Sequence, residues 1–384
     1  MQRKPIYLDY NSTTPVDERV LEYMLPYFTT SFGNASSRQH AFGWEAAAAV
    51  ELAREQVAGL IGSSKEEVIF TSGATESVNM ALRGVFARYQ DKGTHIVTCA
   101  TEHPAVLDTC SALEAQGAEV TVLGVDDGGM LDLEELRRCI RKDTILVAMM
   151  AANNETGVLH PLTAIADLCH EKGTLFFTDA TQAVGKVSFD VGEAGIDLAA
   201  LSAHKFYGPK GCGALYVRKK RPRVSLLASM TGGGQETGLR SGTLNVPGIA
   251  GMGKAAEIAH SVVVSEGLRL TTFRNKLELG LSKAMPGLKV NGNTLYRLPG
   301  VSNVRLPGLT AVEFMMKCPE LAISAGSACA SANPEPSHVL RAMHNSEKAC
   351  ASSIRVSLGR QTTEAELSLA LIEMIAASSS LPVN

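Results

Sequence analysis

Between about residues 45 and 255, short β-branched runs alternate with amphipathic stretches, the pattern of βαβ units folded around a mostly parallel sheet. The spacing predicts a helix over Glu45–Leu60, a strand over Val68–Phe70 and a helix over Glu76–Tyr89. Further strands are predicted at His95–Thr98, Glu119–Leu123, Thr144–Met149, Thr174–Thr178 and Leu198–Ser202, with Ala214–Val217 returning antiparallel. From Ile249 to about Met285 runs a long helical pattern, weakened at Val262-Val263-Val264, that leads into a smaller C-terminal unit. There Leu288–Val290, Val301–Arg305 and Ser353–Ser357 read as strands, and Ala311–Lys317 and Glu364–Ser378 as helices.

Composition narrows the class. With 384 residues, 45% of them hydrophobic and 20% charged, the chain can bury a large core as an ordinary α/β protein of two domains. A net charge of −3 argues against nucleic acid as the main partner. No apolar run approaches the ~18 residues of a membrane span, and the first residues lack the apolar stretch of a secretory signal. The eight cysteines form no C-x-x-C pair and no zinc-like cluster, so reduced thiols in a cytoplasmic enzyme are expected and a metal site is not. The charge run Arg218-Lys219-Lys220-Arg221-Pro222-Arg223 reads as a solvated turn, with a docking patch for an acidic partner as the sharper alternative.

Candidate chemistry lies at the predicted strand ends, where open α/β sheets bind ligands. Lys205, in Ser202-Ala203-His204-Lys205-Phe206-Tyr207-Gly208, is a candidate Schiff-base amine, and a solvent-facing lysine is the plain alternative. Asp179, in Asp179-Ala180-Thr181-Gln182, is placed to hold a pyridinium nitrogen protonated or, more simply, to cap the next segment. Thr71-Ser72-Gly73-Ala74-Thr75 enters a helix whose first turn suits a phosphate, although capping explains Ser72 and Thr75 equally well. His103 follows a strand and can stack on a flat ring or shuttle protons; a hydrogen-bonded turn histidine is the other reading. Arg355, inside a strand pattern, offers a planar fork for a carboxylate or a structural ion pair. Cys329 sits in Ser324-Ala325-Gly326-Ser327-Ala328-Cys329-Ala330-Ser331-Ala332-Asn333, a stretch with few bulky anchors. A thiol there is either a small buried residue or a carrier on a movable arm.

These motifs, in this order, resemble the cysteine desulfurases of the NifS/IscS group, fold-type I pyridoxal 5'-phosphate (PLP) enzymes of aminotransferase class V. The resemblance runs from Tyr7-Leu8-Asp9-Tyr10-Asn11-Ser12-Thr13-Thr14-Pro15 to Ser357-Leu358-Gly359-Arg360 and includes Thr101-Glu102-His103 and Gly326-Ser327-Ala328-Cys329. It implies a large PLP-binding domain over residues 15–258, built on a mainly parallel seven-stranded sheet, and a smaller α+β domain formed by 1–14 and 259–384. It implies Lys205 as the lysine bonded to the cofactor aldehyde, Asp179 as partner of the ring nitrogen and His103 as the stacking, proton-transferring histidine. Gln182 would contact the ring oxygen, with Ala74, Thr75, Ser202 and His204 around the phosphate and Asn153 also at the cofactor. Thr243, in Arg240-Ser241-Gly242-Thr243, would reach the phosphate of a neighbouring subunit, so a homodimer with shared sites is expected. Asn34, Asn153 and Arg355 would grip the carboxylate of L-cysteine.

Cys329 would accept its sulfur as a persulfide, releasing L-alanine and passing sulfur to a protein acceptor for iron–sulfur cluster assembly or another thiolation pathway. Thr237 stands where the family often has arginine, and the chain stops at Asn384, short of the tail with which some members dock a scaffold. A selenocysteine lyase, another class V enzyme and a non-catalytic scaffold are the competing readings.

Overall fold

The computed structural model describes residues 5–220, 223–325 and 336–379. Cys329 lies outside the described residues. The strands formed among the others are β1 (Ile6–Tyr7), β2 (Val68–Thr71), β3 (His95–Cys99), β4 (Glu119–Leu123), β5 (Thr144–Ala148), β6 (Leu175–Asp179), β7 (Leu198–Ser202), β8 (Gly213–Val217), β9 (Lys289–Val290), β10 (Val301–Arg305), β11 (Leu321–Ala322) and β12 (Ser353–Ser357). The seven strands β2 to β8 form one sheet in the order β2-β8-β7-β6-β5-β3-β4. Only β8 runs against the others, as its sequence position predicts.

The apolar runs explain why this sheet is covered on both faces. Val97, Val147, Phe176 and Ala199 belong to one hydrophobic core, while their chain neighbours Ile96, Leu146, Phe177 and Ala200 belong to another. Successive side chains point to opposite faces, so strands that are apolar at every position need helices on both sides. The helices Pro104–Glu114, Leu133–Cys139 and Leu162–Glu171 supply crossovers that the alternation implies without locating.

Helix Ala41–Ile61 starts four residues before its predicted first turn, with His40 as its N-cap, and ends at Gly62, whose φ of 67° closes the helix. It packs tightly on Val246–Ala284, since a Cβ added at Gly253 would lie 2.4 Å from Ala53 Cα. This second helix is continuous for 39 residues and passes straight through Val262-Val263-Val264. The β-branched penalty of a few tenths of a kcal/mol per residue is outweighed by packing at both ends of the helix. Its early residues join the core of the large sheet, and Leu277 and Leu281 join a third core with Leu8, Val304, Phe314, Ile354 and Leu367.

That third core covers a small antiparallel sheet in the order β12-β10-β9. Beside it, β1 pairs in parallel with β11. The N-terminal segment then joins the two sheets through its backbone. Ser357 N donates to Leu8 O and Tyr10 N to Ser357 O, while Thr14 N donates to His204 O and Asp17 N to Tyr207 O.

The basic run after β8 is less solvated than expected where it is described. Arg218 pairs with fully buried Asp197 at 2.8 Å. A second buried ion pair anchors the segment that follows. Glu236 accepts from Arg54 at 2.7 and 2.8 Å and from Phe70 N at 2.7 Å, so it fixes residues 236–240 against β2. Its neighbour Thr237, at φ 57°, adopts a left-handed conformation that is unusual for a β-branched residue.

Two stability predictions follow from these buried charges. Glu236→Ala leaves Arg54 with only the exposed Glu51 as an acidic partner, and urea unfolding is expected to show a loss of about 3 kcal/mol; an unchanged midpoint would refute the anchoring role. His160 is 6% exposed, with no hydrogen-bond partner at either ring nitrogen. Burial pushes it down from 6.5 to about 4. The unfolded chain therefore binds the extra proton first, and stability falls as pH drops from 6.5 towards 4, by about 3 kcal/mol from this residue. His160→Leu should flatten that part of the stability–pH curve.

Candidate active site

A cavity of about 610 Å³ opens at the carboxyl ends of the parallel strands. Its walls come from the turn after β2, from His103 after β3, from Asn154 and Glu155 after β5, and from the ends of β6 and β7. The N-terminal segment adds Asn11 and Ser12, and β12 adds Arg355. Lys205, Asp179, Gln182, His103, Ala74, Thr75, Ser202, His204 and Arg355, scattered over 282 positions of sequence from Ala74 to Arg355, thus meet in one space.

Asp179 ends β6 and is 6% exposed; its Oδ1 accepts from Thr181 N at 3.0 Å. It takes part in none of the ion pairs formed among the described residues, so a buried carboxylate faces the cavity and calls for a cationic ligand atom. Behind it lies Glu102, fully buried, with Oε1 bonded to Met150 N and no partner for Oε2. Burial, and then the Asp179 carboxylate, push Glu102 well above the usual carboxylate range. Both effects favour the protonated form of Glu102 beside the Asp179 carboxylate.

Lys205 follows β7 in a single 3-10 turn, Ala203–Lys205. Its Nζ donates to Asn11 O and to Ser12 O, both at 2.7 Å. Gln182 Nε2 also donates to Asn11 O, at 2.9 Å. His103 caps helix Pro104–Glu114, its Nδ1 accepting from Ala105 N at 3.1 Å. With Nδ1 used as an acceptor, the neutral ring carries its proton on Nε2.

Opposite these groups, helix Ala74–Tyr89 begins at Gly73 with no side-chain cap. Its first turn therefore presents N–H groups and the positive end of a 16-residue helix to the cavity. Ser202 and His204 stand beside it. Burial, and then Lys205, Lys210 and Lys186, push His204 down to about 4, so it is a neutral imidazole at pH 7. An uncapped helix N-terminus, a buried unpaired carboxylate and a lysine at one sheet edge fit the phosphate, ring nitrogen and aldehyde of PLP.

Arg355 is 1% exposed and makes the structural ion pair that its sequence position allows, at the cavity wall. It pairs with Asp9 Oδ1 at 2.7 Å and donates to Ser12 Oγ and Asn154 O, both at 2.9 Å, while Nε has no partner in the cavity wall. Asn153, by contrast, is turned away. Its amide donates to Thr101 O and its Oδ1 accepts from Glu155 N, Thr156 N and Thr156 Oγ1, so it is used up in holding the turn. The residue on the cavity wall is its neighbour Asn154. Asn34 and Thr243 are exposed and stand outside this chain's own cavity.

The sequence reading passed over Asn11, Asn154, Glu155 and His338, which line the cavity. Ser337 Oγ donates to Glu155 Oε2 at 2.6 Å, and His338 Nε2 lies 2.9 Å from Glu102 O. On the other side, Ser324 and Arg355 exchange backbone hydrogen bonds. The residues that flank the Cys329 segment are thus both tied to the cavity wall.

Known proteins agree with this arrangement. The profile of the family Aminotransferase class-V matches residues 6–369. Cysteine desulfurase IscS of Anaeromyxobacter sp. (strain K) is 56% identical over 367 residues, covering 96% of this chain and 91% of that protein. Cysteine desulfurase IscS of Neisseria meningitidis serogroup C is 50% identical over 96% of this chain and 91% of its own length. Among solved structures, a NifS-like protein superposes with a TM-score of 0.91 at 37% identity, covering 98% of this chain and all of that one. SspA in complex with cysteine gives a TM-score of 0.81 at 35% identity over 92% of this chain and 98% of that chain. The chain belongs to the class V aminotransferase family and, within it, to the cysteine desulfurases of the NifS/IscS group.

Proposed function

We propose that this desulfurase works with PLP held in the 610 Å³ cavity, takes sulfur from L-cysteine and hands it on through Cys329. The observation that carries the reading is the convergence of Lys205, the unpaired carboxylate of Asp179 and the uncapped start of helix Ala74–Tyr89 on that one space. When bound, PLP supplies an electron sink for the bond-breaking step.

The protein's own residues supply the rest. Asp179 would hold a proton on the ring nitrogen, with Glu102, whose protonated form burial favours, behind it. Gln182 donates to the ring oxygen, and Ala74, Thr75, Ser202 and His204 surround the phosphate. Lys205 would hold the aldehyde and, when free of it, serve as base for the substrate's Cα proton; Asn11 O and Ser12 O are its resting acceptors. Arg355 and Asn154 hold the substrate carboxylate, the role that the family resemblance implied for Asn153. For His103 to take the thiol proton, its Nδ1 must give up the hydrogen bond from Ala105 N, because Nε2 already carries the ring proton. Cys329 then forms a bond to the substrate sulfur as the Cβ–S bond breaks, and the carbon fragment leaves as L-alanine.

The same reading makes the molecule a homodimer with Thr243 and Asn34 serving a second copy's cavity. Its support is an exposed apolar surface near those residues, with Phe28 at 60%, Phe32 at 63% and Trp44 at 58% exposed. The division into domains at 15–258 and the remainder rests on the separate core around Leu8, Phe314 and Ile354. A reducing cytoplasm suits the seven described cysteines, all free thiols. The sulfur acceptor is a protein.

Incubation with L-cysteine is the direct test: L-alanine should accumulate with one persulfide, mapped by mass to Cys329. Cys329→Ser should keep the yellow colour of bound PLP and lose the persulfide, and Lys205→Ala should lose the visible band of the lysine-bound cofactor. A colourless protein that PLP cannot restore would sink the assignment. Arg355→Lys keeps one charge but loses the fork, and a rise in KM of about 10- to 100-fold is expected; KM unchanged would move the carboxylate site elsewhere.

A further inference from the structure

Gln182 carries an ambiguity that its place in the cavity does not resolve. A primary amide has an acceptor oxygen and a donor nitrogen of nearly equal size, and its partners decide which one faces a ligand. An electron-rich ring oxygen needs the nitrogen. Two contacts settle the orientation here. Nε2 donates to Asn11 O at 2.9 Å, and Oε1 accepts from Lys186 Nζ. A flipped amide would set oxygen against the Asn11 carbonyl, which can only accept, and lose that bond. With Oε1 occupied, the group left for the cavity is the second hydrogen on Nε2.

Lys186 itself stays out of that cavity. It borders a separate cleft of about 30 Å³, between Asn11 and Tyr207. Its nitrogen also donates to Asn11 Oδ1 at 2.9 Å. Asn11 therefore ties three groups together, since its backbone oxygen receives both Gln182 and Lys205 while its side chain receives Lys186. Asn11 N bonds to Ser357 Oγ at 2.9 Å and Asn11 Nδ2 to Asn154 O at 3.0 Å, so the receiving residue is held by the small sheet and by the cavity wall.

We propose that Lys186 is a positioning residue: its nitrogen, braced on Asn11, locks the amide of Gln182 so that an N–H faces the ring oxygen of the cofactor. The inference rests on the proposed PLP site and extends it to a residue behind the first layer. Burial, and then Lys205 and Arg355, push Lys186 well below the usual lysine range. Either charge state of the amine can donate to Oε1, and the Asn11 carbonyl, which can only accept, keeps Nε2 on its own side.

The test is spectroscopic and does not depend on turnover. Holoenzyme with PLP is titrated, and the pH at which its visible band converts between low-pH and high-pH forms is read. Without a donor the ring oxygen holds a proton more tightly, so Lys186→Met is expected to raise the midpoint by about one pH unit, a tenfold change in proton affinity. Gln182→Leu should move it the same way, and the double variant should move it no further than Gln182→Leu alone. A Lys186→Met midpoint equal to that of the unsubstituted protein, or a shift that adds to that of Gln182→Leu, overturns the role of Lys186. No visible band with PLP in the unsubstituted protein overturns the cofactor reading itself, a distinguishable result.

Should Lys186→Met not fold, the unsubstituted protein decides. In a 15N spectrum of the glutamine amides, with Gln182→Leu for assignment, one Gln182 amide proton should move on adding PLP. If neither proton moves, the oxygen faces the cavity and the proposal fails.

Discussion

The backbone seam from Leu8 to Asp17 is the constraint on which the site depends. It exchanges hydrogen bonds with β12 of the small sheet at Ser357, and with the turn after β7 at His204 and Tyr207. In doing so it fixes the distance between Arg355, which comes from β12, and Lys205, which comes from that turn. Side chains strengthen the same seam, since Arg355 bonds to Asp9 and Ser12, and Tyr207 N donates to Thr14 Oγ1 at 2.9 Å. A substrate held by its carboxylate at one end and its amine at the other needs that distance held to a fraction of an ångström. The price is that ten residues near the start of the chain carry the geometry of a site whose other members lie up to 346 positions away.

Much of the large sheet was legible because both of its faces are buried. A strand packed on two sides is apolar throughout, and runs such as Leu198–Ser202 stand out against the flanking helices. The helix ends were less legible, because capping by His40 and a start at an uncapped Gly73 follow from tertiary surroundings rather than from propensity. The three valines at 262–264 misled for the same reason: local preference is small beside packing at both ends of a 39-residue helix.

Within the site, residues at strand ends could be read directly, because topology alone brings Asp179, Lys205 and His103 to one edge. The adjacent asparagines could not be separated that way. Asn153 and Asn154 have the same chemistry, and only the turn geometry shows that Asn153 spends its amide on Thr101, Glu155 and Thr156 while Asn154 faces the cavity. Lys186 and Asn11 were invisible for a further reason. Their contribution lies in contacts to other polar side chains and to backbone, and such pairings leave no periodic trace in a sequence.

The distribution of charge in the cavity gives these contacts their sense. At the end of β6 lies one carboxylate, Asp179, and burial favours the protonated form of Glu102 beside it. Arg355 and Lys205 line the same cavity and Lys186 lies behind its wall, close enough for each of the first two to disfavour a proton on the third, with Asp9 as the carboxylate that pairs with Arg355. A ligand that is cationic at one end and anionic at the other is stabilised in only one orientation in such a field, and water is poorly placed to screen it. A ring nitrogen would be drawn towards Asp179, while a ring oxygen and a substrate carboxylate would be drawn towards the cations. Orientation is thus set before any bond is made, by groups that belong to different sheets and are held in register by one strip of backbone.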